Sequence, residues 1–126
     1  VFARAGASVA VAGRDRERGE AAAQELGATY IPADVARAED CERMAAETAE
    51  RLGGIDELCA NAGVFPDAKL EDMTEADIDA IFATNVKGTM LAVKACMGAL
   101  EASGHGRVWA ARRRSGWPEW PCRASC

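Results

Sequence analysis

Four short clusters in this sequence combine residue types that can do chemistry at suggestive places. Gly13–Arg14 closes the apolar run Ala7–Ala12, and an arginine presents a planar fork of donors that can pair bidentately with a phosphate. Asp34–Val35 follows a second run, Ala28–Pro32, and sets a carboxylate acceptor beside an apolar side chain. Asn61–Ala62–Gly63 follows a third run, Ile55–Ala60, and joins an amide to two small residues, so that the backbone can pass close to a ligand. Asn85 lies inside an apolar helical pattern, where an asparagine is unfavourable unless its amide is satisfied. His105, Lys87 and Lys94 have no partner pattern that suggests general acid–base work. Five cysteines, an odd count with no Cys-x-x-Cys and a single histidine, predict neither a disulfide framework nor a metal site and fit a reducing, cytoplasmic setting.

The elements that must position these residues alternate. Val1–Ala5 reads as a last helical turn ending at Gly6, and Ala7–Ala12 as a buried strand. A helix over Asp15–Leu26 stops at Gly27, and Ala28–Pro32 forms a second strand. Ala38–Leu52 places apolar or small residues at 41, 44, 45, 48, 49 and 52, one helical face, and stops at Gly53–Gly54. Ile55–Ala60 is a third strand. Thr74 then caps a helix with Asp77 as its capping-box partner, and Met73 and Ile78 at staple spacing. From there Ile78, Ile81, Phe82, Val86, Leu91, Val93, Met97 and Leu100 predict an apolar stripe reaching Ser103–Gly104. Such a helix would be roughly 40 Å long. Gly106–Arg107–Val108 enters a fourth strand. Strands alternating with helices of this length predict an α/β fold with parallel strands, doubly wound.

Composition narrows the classes. Of 126 residues 49% are hydrophobic types, enough for a packed core, and the net charge of −5 argues against nucleic-acid binding. No apolar run approaches the roughly 20 residues of a membrane helix, and the first residues do not read as a signal peptide. The charge is uneven. Residues 1–108 carry 11 basic and 19 acidic side chains, whereas 109–126 carry four arginines, one glutamate and all three tryptophans. The chain is therefore read as two parts, 1–108 an α/β domain and 109–126 an anomalous tail.

The ordered set GASVAVAGR, ADV, IDELCANAG, TNVKG and GRV over residues 1–108 resembles the middle of a short-chain dehydrogenase/reductase. Its spacing is similar to that of the bacterial 3-oxoacyl-acyl-carrier-protein reductases. The resemblance implies an oxidoreductase passing hydride between a nicotinamide cofactor and a carbonyl or alcohol carbon, a 3-oxoacyl thioester or a similar ketone. It also implies a Rossmann-type sheet whose first strand, glycine-rich loop and C-terminal half are not in this sequence. In doubly wound sheets the ligand lies outside the carboxyl ends of the strands. Arg14 at the second strand end of such a sheet favours a 2′-phosphate and hence NADP(H) over NAD(H). Asp15 can still turn toward a ribose, and the alternative for Arg14 is a solvated loop residue beside Arg16 and Arg18. The resemblance sets Asp34 and Val35 against the adenine; an aspartate there also suits a turn into the following helix. It sets Asn61, Ala62 and Gly63 beside the cofactor ribose, or else they form an ordinary strand-to-loop turn. Ala60 stands where the family usually has a further asparagine. Asn85 is the one catalytic candidate. In the family the matching backbone carbonyl binds a water of the proton relay; the alternative is a buried, bonded asparagine or a local helix irregularity. The long helix over 74–102 implies pairing in a homo-oligomer, although sheet packing explains its stripe equally.

The family's chemistry uses a tyrosine and a lysine four residues apart, on one helix face, and a serine. Here the sole tyrosine is Tyr30, with Asp34 four residues later, and no serine follows the Gly106–Val108 strand start. The chain as written is therefore expected to be inactive, poorly stable in isolation, and at most a weak adenosine-nucleotide binder. Residues 109–126, dense in Trp, Arg, Pro, Cys, Ala and Ser, read as GC-rich codons translated out of frame. A basic-aromatic tail for single-stranded nucleic acid is the rival reading, and no repeat or fold supports it.

Overall fold

The computed structural model describes residues 2–110. The out-of-frame and nucleic-acid readings of the tail concern, beyond Ala110, positions outside the described residues.

The chain enters through a single 3-10 turn, Ala3–Ala5, closed by Gly6 at φ 89°, whose N–H donates to the Ala3 carbonyl. Strand β1 is Ala10–Gly13, later and shorter than the apolar run Ala7–Ala12 that it overlaps. Helix α1, Arg16–Leu26, starts where the Asp15 carboxylate accepts the Arg18 N–H and ends at Gly27, φ 63°. A left-handed residue there stops a helix and is most easily supplied by glycine. Strand β2 is Thr29–Pro32. Helix α2, Ala38–Leu52, matches its expected limits and buries Cys41, Met44 and Ala45 from the expected face. Strand β3 is Glu57–Ala60 and strand β4 Arg107–Ala110.

Strands β1 and β2 pair in parallel, as do β3 and β4, giving two two-stranded sheets. In a doubly wound sheet of order 3-2-1-4-5-6, strands two and three are neighbours, four and five are neighbours, and strand one lies between the pairs. The two pairs are what strands two to five of such a sheet make, and the Rossmann-like α/β class follows.

The long helix departs from expectation. It is built in three pieces: helix α3, Glu75–Ile81, opening on the Thr74–Asp77 capping box; a π-helical segment, Phe82–Gly88; and helix α4, Thr89–Ala102. Its fully buried face shares only Leu100 with the expected stripe. Thr84, Gly88, Ala92, Cys96 and Leu100, four apart, are the buried positions, while Phe82, Val86 and Met97 are exposed. Small side chains let α4 pack closely on α2 and on β3, so the face with the least bulk turned inward and the bulkier one outward. The core gathers Ile31, Ala33, Cys41, Met44, Ala45, Ile55, Ala92, Cys96 and Leu100, from β2, α2, α4 and the loops beside them.

Candidate functional site

The predicted site residues collect at the carboxyl ends of the strands. Gly13 is the last residue of β1, Asp34 lies two residues beyond β2, and Asn61 directly follows β3. Parallel strands produce this convergence: the loops that leave β1, β2 and β3 at their carboxyl ends each carry one cluster.

Arg14 and Asp34 meet there. One Arg14 guanidinium nitrogen lies 3.9 Å from Asp34 Oδ2, with the arginine side chain 62% exposed. An ion pair this long and this wet adds little stability. Its arginine stays open to an incoming anion. Asp34 is otherwise engaged: its Oδ1 accepts the Ala36 N–H at 3.0 Å, the turn its residue type allows. Its own N–H donates to Asp40 Oδ2 at 2.8 Å. That bond, with the Arg43 guanidinium beside it, holds the Asp40 carboxyl below the usual aspartate range. One oxygen of the Asp15 carboxylate caps α1, accepting the Arg18 N–H at 3.0 Å.

Val35 carries the site from the first pair of strands to the second. A side-chain carbon placed on Gly88 would come within 2.8 Å of Val35 Cγ2, so only glycine lets the loop after β2 lie against the π-helical segment. Three residues earlier, Asn85 reaches the loop after β3. Its Oδ1 accepts the Val64 N–H at 2.8 Å and its Nδ2 donates to the Val64 carbonyl at 2.9 Å. A carbon placed on Gly63 would stand 3.3 Å from Asn85 Oδ1, which explains a glycine next to the clamp. Asn85 is thus both a bonded asparagine and part of a helix irregularity, since it sits within the π-helical segment; such segments often occur at functional sites. Its backbone carbonyl accepts the Thr89 hydroxyl at 3.0 Å.

Asn61, Ala62 and Gly63 are exposed at the same edge. His105 lies elsewhere, 3.2 Å from Asp56 in the loops that precede β4 and β3. Among the described residues no cluster of histidine, cysteine or acidic side chains could hold a metal. Cys41, Cys59 and Cys96 are free thiols. No described helix is long and apolar enough to cross a membrane.

Sequence reasoning missed Val64, Asp40, Thr89 and the Val35–Gly88 contact. Thr89, four residues after Asn85, had a signal in its spacing, because a helical hydroxyl commonly bonds the carbonyl one turn back. The others depend on which loops the folded chain brings together.

Parallel strand pairs, helices between them, and polar groups at the carboxyl edge define a Rossmann-type nucleotide-binding architecture. The family model for short chain dehydrogenases matches residues 1–111, and the chain belongs to that family. It is 37% identical over 107 residues to a sorbitol dehydrogenase of Cereibacter sphaeroides, covering 83% of this chain and 42% of that relative. An oxidoreductase of Thermotoga maritima is 34% identical over 113 residues, covering 86% and 44%. Among solved structures, an alcohol dehydrogenase of the archaeon Thermococcus sibiricus complexed with 5-hydroxy-NADP superposes with a TM-score of 0.72 at 29% identity, covering 84% of this chain and 47% of that one. A glucose/ribitol dehydrogenase of Brucella melitensis superposes with a TM-score of 0.73 at 32% identity, covering 78% and 43%. The chain therefore spans less than half the length of these relatives.

Proposed function

We propose that this chain carries the adenosine-binding side of an NADP(H)-dependent oxidoreductase, and that by itself it binds nucleotide without turning it over. The observation that carries the reading is the strand-end turn: Asp15 is engaged in capping α1, while Arg14 offers an exposed guanidinium beside Asp34. The residues fit the group. A fixed acidic acceptor at that turn suits a ribose 2′-hydroxyl, whereas a guanidinium suits a 2′-phosphate. Beyond Gly13 and its two chain neighbours, no atom lies within 4 Å of where a Gly13 side chain would begin, so the turn leaves room for a ligand. The Thermococcus alcohol dehydrogenase, similar to this chain and complexed with an NADP derivative, supports the same preference.

In this reading Arg14 holds the 2′-phosphate, Asp34 and Val35 flank the adenine, and Asn61, Ala62 and Gly63 line the ribose. In the whole protein a bound nicotinamide would supply hydride chemistry toward a carbonyl or alcohol carbon, as for a 3-oxoacyl thioester or a similar ketone. Asn85 keeps the Val64 loop in place and offers its backbone carbonyl to a water of the proton relay. The whole protein works in the cytoplasm and pairs with a second copy through the helix over 74–102, whose exposed Phe82, Val86, Met90 and Met97 support that pairing.

Two titrations test the binding. Adenosine 2′,5′-bisphosphate should bind this chain more tightly than adenosine 5′-monophosphate, and Arg14→Ala should weaken only the bisphosphate, by about tenfold. Equal loss for both ligands would remove Arg14 from specificity. NADPH oxidation with a ketone should not exceed the blank, because Tyr30 is the only tyrosine and no lysine stands four residues beyond it; turnover would overturn that part. Residues 109–126 are read as an out-of-frame tail. Translating the coding DNA in all frames from Gly104 should yield a serine and then Tyr-x-x-x-Lys in another frame.

A further inference from the structure

Tyr30 is the chain's single tyrosine, and its hydroxyl donates to the Gly13 carbonyl at 2.8 Å. The same carbonyl accepts the Ala33 N–H at 3.0 Å. A carbonyl oxygen has two lone pairs, and both are therefore engaged. The ring reaches this position across α1 only because Gly19 has no side chain: a carbon built there would fall inside the ring, against its Cε2, Cδ2 and Cζ. Glycine within a helix is unfavourable relative to alanine, so the contact with Tyr30 gives this glycine a reason. The turn Gly13–Asp15 is thus closed to a ligand at two of its acceptors. Tyr30 and Ala33 occupy the Gly13 carbonyl, and α1 occupies an oxygen of the Asp15 carboxylate. What the turn presents outward is the Arg14 guanidinium.

We propose that Tyr30 sets nucleotide specificity at this turn by occupying the Gly13 carbonyl. An unoccupied carbonyl there would accept a hydrogen bond from a ribose 2′-hydroxyl and repel the oxygens of a 2′-phosphate, which at full ionisation can only accept. With the acceptor engaged, what the turn directs outward to the 2′ position is the Arg14 guanidinium. Tyr30 is a positioning residue: it acts through Gly13 and Arg14 and does not touch the nucleotide. The inference rests on the reading that this turn meets the 2′ position of an adenosine nucleotide.

The test is a pair of amide-shift titrations of the full chain, with adenosine 2′,5′-bisphosphate and adenosine 5′-monophosphate, on wild type, Tyr30→Phe and Gly19→Ala. Tyr30→Phe keeps the ring on Gly19 and removes only the hydroxyl. It should lower the bisphosphate-to-monophosphate affinity ratio by about threefold to tenfold, on the order of one hydrogen bond. Gly19→Ala displaces the ring and should lower the ratio in the same direction. A merely structural tyrosine would change both affinities by one common factor; an unchanged ratio in Tyr30→Phe, with the wild type preferring the bisphosphate, overturns the role of Tyr30 and leaves the site standing. If the wild type shifts with neither probe, the nucleotide site itself fails, and the role of Tyr30 with it.

Discussion

Asn85 holds Val64 by both of its backbone groups, accepting from the N–H at 2.8 Å and donating to the carbonyl at 2.9 Å. A side-chain amide here does what a neighbouring strand would do, and it fastens the loop after β3 to the π-helical segment. The carbonyl proposed for the proton relay and the loop proposed for the ribose are therefore positioned by one residue.

Replacing Asn85 by alanine should remove both bonds and leave the partly buried Val64 groups to water. The expected loss is about 2–3 kcal/mol, read as a lower denaturation midpoint together with faster exchange of the Val64 amide. Asn85→Asp should be worse than its size suggests, because it keeps the acceptor but turns a carboxylate oxygen toward the Val64 carbonyl. Unchanged exchange at Val64 in either variant would show that the clamp is dispensable.

Gly88→Ala should destabilise the protein by about 1–3 kcal/mol through overpacking, since the new carbon would come within 2.8 Å of Val35 Cγ2. Val35→Ala in the same chain should recover part of that loss. The double-mutant cycle measures the contact itself, and strictly additive effects would mean that the two loops do not press on each other.

The capping box at the start of α3 makes a pH-dependent contribution. Hydrogen bonds from the Thr74 hydroxyl and the Thr74 N–H hold the Asp77 carboxyl below the ordinary aspartate value. A group whose folded value is depressed stabilises the fold above its unfolded value, and that stability is lost as pH falls through the folded one. Thermal stability should thus fall as pH drops below about 4, and Asp77→Asn should flatten part of this dependence. Asp40, held low mainly by the Asp34 N–H, acts in the same sense. Thr74→Ala should cost about 1 kcal/mol at neutral pH.

Cysteine labelling checks the core. Cys41 and Cys96 are buried and their thiols are pushed up by loss of solvation, whereas Cys59 is exposed. Brief alkylation of the native chain near pH 8, mapped by peptide mass, should modify Cys59 before Cys41 and Cys96. Cys41 and Cys96 should react only on unfolding. Equal rates at all three would mean that α2 and α4 do not close over them.

Much of this molecule is local chemistry, and local chemistry is legible in a sequence. Gly6, Gly27 and Gly53 all take the left-handed conformation where a helical turn ends, and residue type alone places each of them. The limits of α2 and the Thr74–Asp77 box follow from periodicity and capping, which act over a few residues. Strand starts are less legible: the apolar runs open at Ala7 and Ile55, the strands at Ala10 and Glu57, because a run does not say which of its residues finds a partner strand.

Contacts between residues far apart in the chain obey a different logic. Periodicity favours the bulky stripe of the long helix as its buried face, yet of that stripe only Leu100 is fully buried: Ala92 and Cys96 join it in the core with α2, and Gly88 lies against Val35. The grip of Asn85 on Val64 and the seat of Val35 on Gly88, both made by the π-helical segment, join positions 21 and 53 residues apart. Element order, helix ends and the chemical types gathered at the strand ends are written in the amino-acid order, since each depends on neighbours along the chain. Which of those groups touch, and which acceptors are already occupied when a ligand arrives, is settled only where parallel strands bring their carboxyl ends to one edge.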